Sequence, residues 1–174
     1  METNIAQMKP QDILLLLRII VLKKESWTQL PMAEALGMSQ SEVSEAVKRC
    51  KYAGLLDIKG KKVMRQALME FLEYGIRYVF PQKPGPLVRG VKTAHSAPPL
   101  NSIIVSNEAY VWPYAKGLDR GQSIYPLYSS VPSAALRDPA LYELLTMVDA
   151  LRVGRSRERA LALEELKKRV LDGK

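Results

Sequence analysis

Residues 32–56 read MAEALGMSQSEVSEAVKRCKYAGLL, and this stretch decides how the rest of the chain is interpreted. Its apolar residues recur at helical spacing on both sides of Gly37, which suits a tight turn. Ser39 and Glu42 have the spacing of a capping box. We therefore expect the Ser39 hydroxyl to accept from the Glu42 amide and the Glu42 carboxylate to accept from the Ser39 amide. The stretch predicts two short helices joined by a turn, with the second helix beginning after Ser39.

The segment before this stretch predicts a longer helix over residues 10–24. Its run from residue 13 to 22 is apolar apart from Arg18. A membrane span needs about 20 apolar residues, so we interpret this run as a buried core helix and expect no membrane segment. A helix that is apolar almost all round must be covered on more than one side. Either the middle region of the chain or a second subunit is expected to cover it.

The segment after the stretch predicts a basic hairpin and another helix. Residues 55–58 and 63–64 are read as two short strands around a glycine-containing turn, and residues 65–80 as an amphipathic helix. The chain carries a net charge of +8. Residues 48–65 hold seven basic residues and one acid, Asp57, which is a local charge of +6. A basic cluster of this kind favours an anionic partner, with nucleic acid first.

This ordered set of core helix, helical pair, basic hairpin and amphipathic helix resembles the winged helix-turn-helix of MarR-like transcription regulators. The resemblance covers residues 10–80, and the whole chain is similar to a group of uncharacterised bacterial winged-helix proteins. Ala33 is small where the two helices cross, and Val43 and Val47 are expected to face inward. Ala46 departs from the pattern, because the family often has a larger aliphatic residue at this position.

The resemblance implies that the helix after Ser39 enters the major groove of DNA with its N-terminal half. Gln40 then suits adenine and Glu45 suits a cytosine amino group, whereas the lysines suit phosphates. The candidate DNA-binding residues are Ser39, Gln40, Ser41, Ser44, Glu45, Lys48, Lys51, Lys59, Lys61 and Lys62.

The predicted fold class is mainly α with small β elements. Residues 1–80 are expected to form the winged helix-turn-helix domain, and residues 81–137 an irregular Pro/Gly-rich packed region with short strands. Residues 138–174 are expected to form a C-terminal helical hairpin that begins at Asp138 and Pro139, a strong helix start. The short strands are predicted at residues 102–105, 110–112 and 123–128.

The expected function is sequence-specific binding of double-stranded DNA by a cytoplasmic homodimer, as a transcriptional regulator. The alternative is an adaptor or antitoxin-like protein that binds a partner protein, with DNA contact secondary. The sequence predicts no enzyme, because no nucleophile motif or acidic metal cluster is found, and it predicts no cofactor. A single cysteine, Cys50, excludes an internal disulfide, and the sequence begins without a signal-peptide pattern.

Three weaker signals are given a structural interpretation first. His95, the only histidine, is expected to be structural or at the surface, and Cys50 to be a core thiol. The proline-rich stretch of residues 78–100 is read as an ordered loop, with an effector pocket as the alternative. The arginines at the joint of the last two helices are read as a solvated face, with phosphate or an acidic protein as the alternative partner. These arginines are Arg152, Arg155, Arg157 and Arg159.

Overall fold

The computed structural model of the protein describes residues 6–23 and 26–173. Their fold is mainly α-helical with a small three-stranded sheet, which confirms the predicted fold class at this level. The helices are α1 (Pro10–Leu22), α2 (Gln29–Leu36), α3 (Gln40–Tyr52), α4 (Arg65–Tyr74), α5 (Ile76–Val79), α6 (Val131–Leu136), α7 (Pro139–Val153) and α8 (Ser156–Leu171). The strands are β1 (Leu87–Lys92), β2 (Tyr110–Pro113) and β3 (Asp119–Ser123).

Helix α1 begins where the sequence places it and ends slightly earlier. Pro10 occupies the first turn, and the carboxylate of Asp12 accepts from the Lys9 amide at 2.8 Å. The helix ends at Leu22, because Lys23 takes a left-handed conformation with a φ of 51°. The predicted end at Lys24 lies outside the described residues.

Helix α1 lies at the centre of the molecule, between α3 on one side and α7 on the other. Its apolar side chains are buried, and Arg18 forms an ion pair with Asp138 at the start of α7. The cover is therefore the C-terminal helix of the same chain, not the middle region or a second subunit. Because α1 has no uncovered apolar face, it gives no support to the expected homodimer, which stays a prediction.

The segment between α3 and α5 differs from its prediction in two ways. The hairpin contains a single antiparallel bridge, between Leu56 and Val63, where two short strands were expected. The helix expected over residues 65–80 is interrupted at Gly75, which separates α4 from α5. Glycine is a poor helix former, and the ring of Phe71 packs over this one.

The middle region contains more regular structure than its composition suggests. Strand β1 pairs antiparallel with both β2 and β3, which pair in parallel with each other, so that the three strands close on themselves. The approach of β1 to β2 requires glycine at Gly90, because a Cβ there would lie 1.8 Å from the carbonyl oxygen of Trp112. Strand β1 and helix α6 were not predicted from the sequence.

The three predicted strands of this region have different outcomes. Residues 110–112 are confirmed as part of β2. Residues 102–105 form no strand and follow a 3₁₀ turn, Leu100–Ser102. The third strand is displaced, because β3 ends at Ser123, where residues 123–128 were expected to begin one.

The C-terminal hairpin forms as predicted. The Asp138 carboxylate accepts from the Leu141 amide at 3.2 Å and so caps α7. At α8 the capping position belongs to Arg155, whose amide donates to the Glu158 carboxylate at 2.5 Å.

One buried apolar cluster joins residues from all three predicted segments. Within residues 6–23 and 26–173, no helix combines the length and apolar character needed to cross a membrane.

Candidate nucleic-acid interface

The inner face of α3 is packed against α1 and α2. Val43, Ala46 and Cys50 are fully buried, and Val47 is half-buried. The small Ala46 has no exposed surface. The predicted inward positions Val43 and Cys50 are therefore confirmed, and they fix which side of α3 faces outward.

The first turn of α3 is capped differently from the prediction. The Ser39 hydroxyl accepts from the Glu42 amide at 3.0 Å, as expected. The Glu42 carboxylate does not complete a capping box with Ser39 and instead accepts from Gln11 at 3.0 Å and from Arg49 at 2.8 Å. The hydrogen bond from Gln11, followed by that from Arg49, lowers the pKa of Glu42. Gln11 of α1 and Arg49 of α3 therefore take the place of the Ser39 amide as donors to Glu42.

A buried ion pair holds α3 to α1. Asp12 has no exposed surface, and its two carboxylate oxygens accept from the Arg49 Nε at 3.1 and 2.9 Å and from Nη2 at 2.8 Å. The hydrogen bonding to Asp12 raises the pKa of Arg49, so the guanidinium stays charged. Because this charge is neutralised inside the protein, Arg49 does not contribute to the basic surface predicted for residues 48–65.

The outer face of α3 is not covered by any other described part of the chain. Ser44 is half-buried, and the Lys48 ammonium lies 3.0 Å from the Glu45 carboxylate. This face is therefore polar, accessible and less positive than its lysine content suggests. The exposed predicted residues are Ser39, Gln40, Ser41, Glu45, Lys48 and Lys51.

The hairpin after α3 is built on Asp57. The Asp57 backbone carbonyl accepts from Gly60 at 2.9 Å, and its carboxylate accepts from the amides of Lys61 and Lys62 at 2.7 and 2.9 Å. These amide donors, Lys62 first, lower the pKa of Asp57. The one acid in the basic segment therefore organises the turn.

The three hairpin lysines have different environments. Lys59 and Lys62 are exposed, as a phosphate-binding role requires. Lys61 is half-buried: its ammonium donates to the Trp27 carbonyl at 2.6 Å and lies 4.4 Å from the centre of the Trp27 ring. The indole of Trp27 in turn donates to the Lys61 carbonyl at 3.0 Å. Lys61 thus joins the hairpin to the segment before α2.

The hairpin lies directly beside α3. Gly60 has a φ of 69°, and a Cβ there would lie 2.9 Å from Val47 Cγ1 and 3.1 Å from Lys51 Cδ. Only glycine combines this conformation with this approach. The structure therefore brings the lysine-bearing hairpin and the polar face of α3 together as one continuous surface.

Sequence reasoning missed the residues that brace this surface from behind. The Ser130 hydroxyl donates to the Leu36 carbonyl at 2.5 Å, and Arg137 donates to the Ala35 carbonyl at 3.3 Å. Both bonds satisfy orphan carbonyls at the end of α2. No local pattern identifies these partners, because about a hundred residues separate the members of each pair.

Cys50 and His95, the two other side chains considered in the sequence analysis, are both buried. Cys50 is buried, and burial raises the pKa of its thiol, which agrees with a core thiol. His95 is buried, with Nε2 2.7 Å from the Glu108 carbonyl and its ring 4.7 Å from that of Tyr110. In the described part of the chain, no three His, Cys, Asp or Glu residues are grouped to hold a metal ion.

Comparison with known proteins adds no relative: no family model, no curated protein and no solved structure matches this chain.

Proposed function

We propose that residues 6–80 are a winged helix-turn-helix that binds double-stranded DNA sequence-specifically, and that the protein is a transcriptional regulator. One observation carries this proposal: the polar face of α3 and the lysine-bearing hairpin lie side by side and uncovered by the rest of the described chain. A surface with these two parts fits a duplex that presents a groove to the helix and phosphates to the hairpin.

The exposed residues divide into those suited to bases and those suited to phosphates. Gln40 at the start of α3 has the amide that pairs with adenine, and Glu45 one turn later suits a cytosine amino group. Lys51 near the end of α3 and Lys59 and Lys62 on the hairpin suit the phosphate backbone. Lys48 suits a phosphate once its ion pair with Glu45 is exchanged.

Selection of bound fragments from random duplex DNA, followed by a salt titration on the selected duplex, tests the proposal. A protein that neutralises four phosphates gives a log–log slope of affinity against salt of about −4. Lys59→Ala combined with Lys62→Ala should weaken binding to all sequences and reduce the slope by about 2. Lys83→Ala combined with Lys116→Ala, two exposed lysines of the middle region, is the matched control and should change neither.

The base-reading assignment is tested separately. Gln40→Ala should alter the selected sequence, at a cost of about 1–3 kcal/mol on the original duplex and little on random DNA. Equal losses on both DNAs would contradict the assignment of α3 as the reading element. Failure of the wild-type protein to bind any DNA at low ionic strength would overturn the proposed function itself.

One observation favours the alternative function, an adaptor or antitoxin-like protein that binds a partner protein. Tyr52, Ile58 and Met64 are exposed beside the same surface. An exposed apolar group of this kind is also found where proteins bind one another. Binding of a partner protein that is unaffected by salt and needs no DNA would support the adaptor.

The expected homodimer is tested separately. Sedimentation of the protein–DNA complex shows whether one protein copy or two occupy the duplex.

A further inference from the structure

Ile58 has an unusual position at the tip of the hairpin. Its side chain is 92% exposed, although the chain buries most of its isoleucines in one core. Isolated exposed apolar residues are common on protein surfaces and need no explanation by themselves. Leu118, which is 94% exposed in the turn between β2 and β3, is such a residue. Ile58 is singled out by its place, on the hairpin beside α3 and next to the lysines of the proposed DNA-binding surface.

The backbone of the turn that carries Ile58 is held by several contacts. Asp57, which precedes it, uses its amide, its carbonyl and its carboxylate to bind four backbone groups of the turn within 2.9 Å. Gly60, two residues after it, is wedged against Val47 and Lys51 of α3. These contacts fix the backbone of the turn, and Ile58 projects from it into solvent.

The surroundings of Ile58 are basic. Ile58 helps to line an open groove whose other lining residues are Lys51, Gly54, Leu56, Asp57, Lys59, Lys62 and Met64, so that three lysines and one acid surround it. An apolar tip between lysines is complementary to a surface whose edges are anionic and whose interior is apolar. A DNA minor groove offers this combination: phosphates line both edges, and the faces of stacked bases become accessible when a step opens.

We propose that Ile58 enters the minor groove beside the major groove occupied by α3 and wedges open one base step. The inference rests on the proposed function and deepens it, because the wedge makes the protein sensitive to the ease with which DNA bends. Pyrimidine–purine steps unstack most readily, so they are expected at this point of the bound sequence. The hairpin thereby contributes to sequence preference without a hydrogen bond to any base.

The test uses the duplex selected by the wild-type protein. 2-Aminopurine placed at successive positions reports unstacking as a rise in fluorescence, and fluorescence energy transfer between labelled duplex ends reports bending. With wild-type protein we expect a rise at one step under each hairpin, together with a shortened end-to-end distance. Ile58→Ala should abolish the rise, restore the longer distance and weaken binding about tenfold. Leu118→Ala, the matched loss of an equally exposed aliphatic side chain, should behave as wild type.

The possible outcomes separate this inference from the function on which it rests. If the wild-type protein binds no DNA, both are overturned. If it binds DNA but Ile58→Ala leaves the fluorescence, the duplex length and the affinity unchanged, the wedge alone is overturned. Loss of a bound partner protein in Ile58→Ala, with unchanged DNA behaviour, likewise overturns the wedge and assigns the exposed isoleucine to a protein contact. Lys59→Ala should lower affinity while leaving the unstacking signal intact, because it removes charge and not the wedge.

Discussion

Two buried carboxylates, Asp12 and Asp149, each hold an arginine, and they do so in different ways. Asp12 lies on α1 and binds Arg49 of α3, so its ion pair joins two helices of the N-terminal segment. Asp149 lies on α7 and binds Arg152 one turn later on the same helix at 2.9 Å. The first pair fixes the position of one helix against another, whereas the second pair is local.

The pair of Asp149 and Arg152 also binds residues from distant segments of the chain. The Asp149 carboxylate also accepts from the Thr93 hydroxyl at 2.7 Å and from the Trp112 indole at 2.6 Å. Arg152 donates to the backbone carbonyls of two further segments, those of Phe80 at 2.9 Å and Tyr125 at 3.2 Å. Arg152 was read from the sequence as part of a solvated arginine face. It is buried, so that interpretation is wrong for this residue, whereas Arg155 and Arg157 are exposed.

The difference between the two networks lies in their distance from solvent. The Asp12 network reaches the half-buried Glu42 in the first turn of α3 and so touches the proposed DNA-binding surface. The Asp149 network ends on backbone and buried side chains. Disturbing the first should therefore change both stability and DNA binding, and disturbing the second should change stability alone.

The largest expected effect follows the loss of Asp149. Asp149→Ala leaves Arg152 buried without its anion and removes the acceptor of Thr93 and Trp112. We expect the free energy of unfolding to fall by about 4 kcal/mol, measured by urea unfolding with circular dichroism. Glu164→Ala, which removes an exposed partner of Lys168, is the control and should cost less than about 1 kcal/mol. DNA affinity per folded molecule should not change in either variant.

Arg49→Met should have the next largest effect and should separate the two networks. It leaves the Asp12 carboxylate buried without a cation, and we expect a loss of about 3 kcal/mol in unfolding free energy. It should also weaken DNA binding by the folded protein, because α3 loses its tie to α1. The double variant Asp12→Leu, Arg49→Met removes both charges and should recover part of the stability. A double variant no more stable than Arg49→Met would contradict the role given to this pair.

A smaller effect is expected within the hairpin, where Lys61 contacts Trp27. Lys61→Ala removes the hydrogen bond to the Trp27 carbonyl and the contact with its ring, at a cost of about 1 kcal/mol in unfolding free energy. Lys59→Ala removes an exposed lysine from the same turn and should cost less than about 0.5 kcal/mol. Equal stability of the two variants in thermal unfolding would show that Lys61 does not anchor the hairpin.

The smallest expected effect is a dependence on acid that the Asp12 network shows through Glu42. The pKa of Glu42 is lowered from 4.5 in the folded protein, so its contribution to stability is complete above 4.5. That contribution is lost as the pH falls through the lowered value. The protection of the first amides of α3 against hydrogen exchange, taken relative to the intrinsic rate at each pH, should therefore fall in this range. In Glu42→Gln this added acid dependence should be absent, and its persistence would assign it to another group.

The distance along the chain between a residue and its partner also explains what the sequence could predict. Ser39, Gly37 and Asp138 act through neighbours within four residues, and the structure places each as expected. The Glu42 carboxylate instead binds Gln11, which is 31 residues away. The spacing of Ser39 and Glu42 therefore could not predict whether the second hydrogen bond of the capping box forms.

The middle region was harder to predict for a related reason. Strand β1 carries Gly90, and glycine weakens a strand unless another backbone must approach it closely. In this protein the backbone of Trp112 makes that approach. Of the α3 residues that the sequence predicted to face outward, Ser44 is half-buried and the others are exposed, namely Gln40, Ser41, Glu45, Lys48 and Lys51. The sequence could not show that Arg49 pairs with Asp12 or that Lys61 donates to Trp27, because these partners lie more than thirty residues away.

The central position of α1 has a consequence for biosynthesis. Its two covers, α3 and α7, are made at different times, and Asp138 is 120 residues later in the chain than its partner Arg18. Until α7 leaves the ribosome, one apolar side of α1 has no permanent cover. We expect a fragment that stops at residue 80 to keep that side bare and to be prone to aggregate.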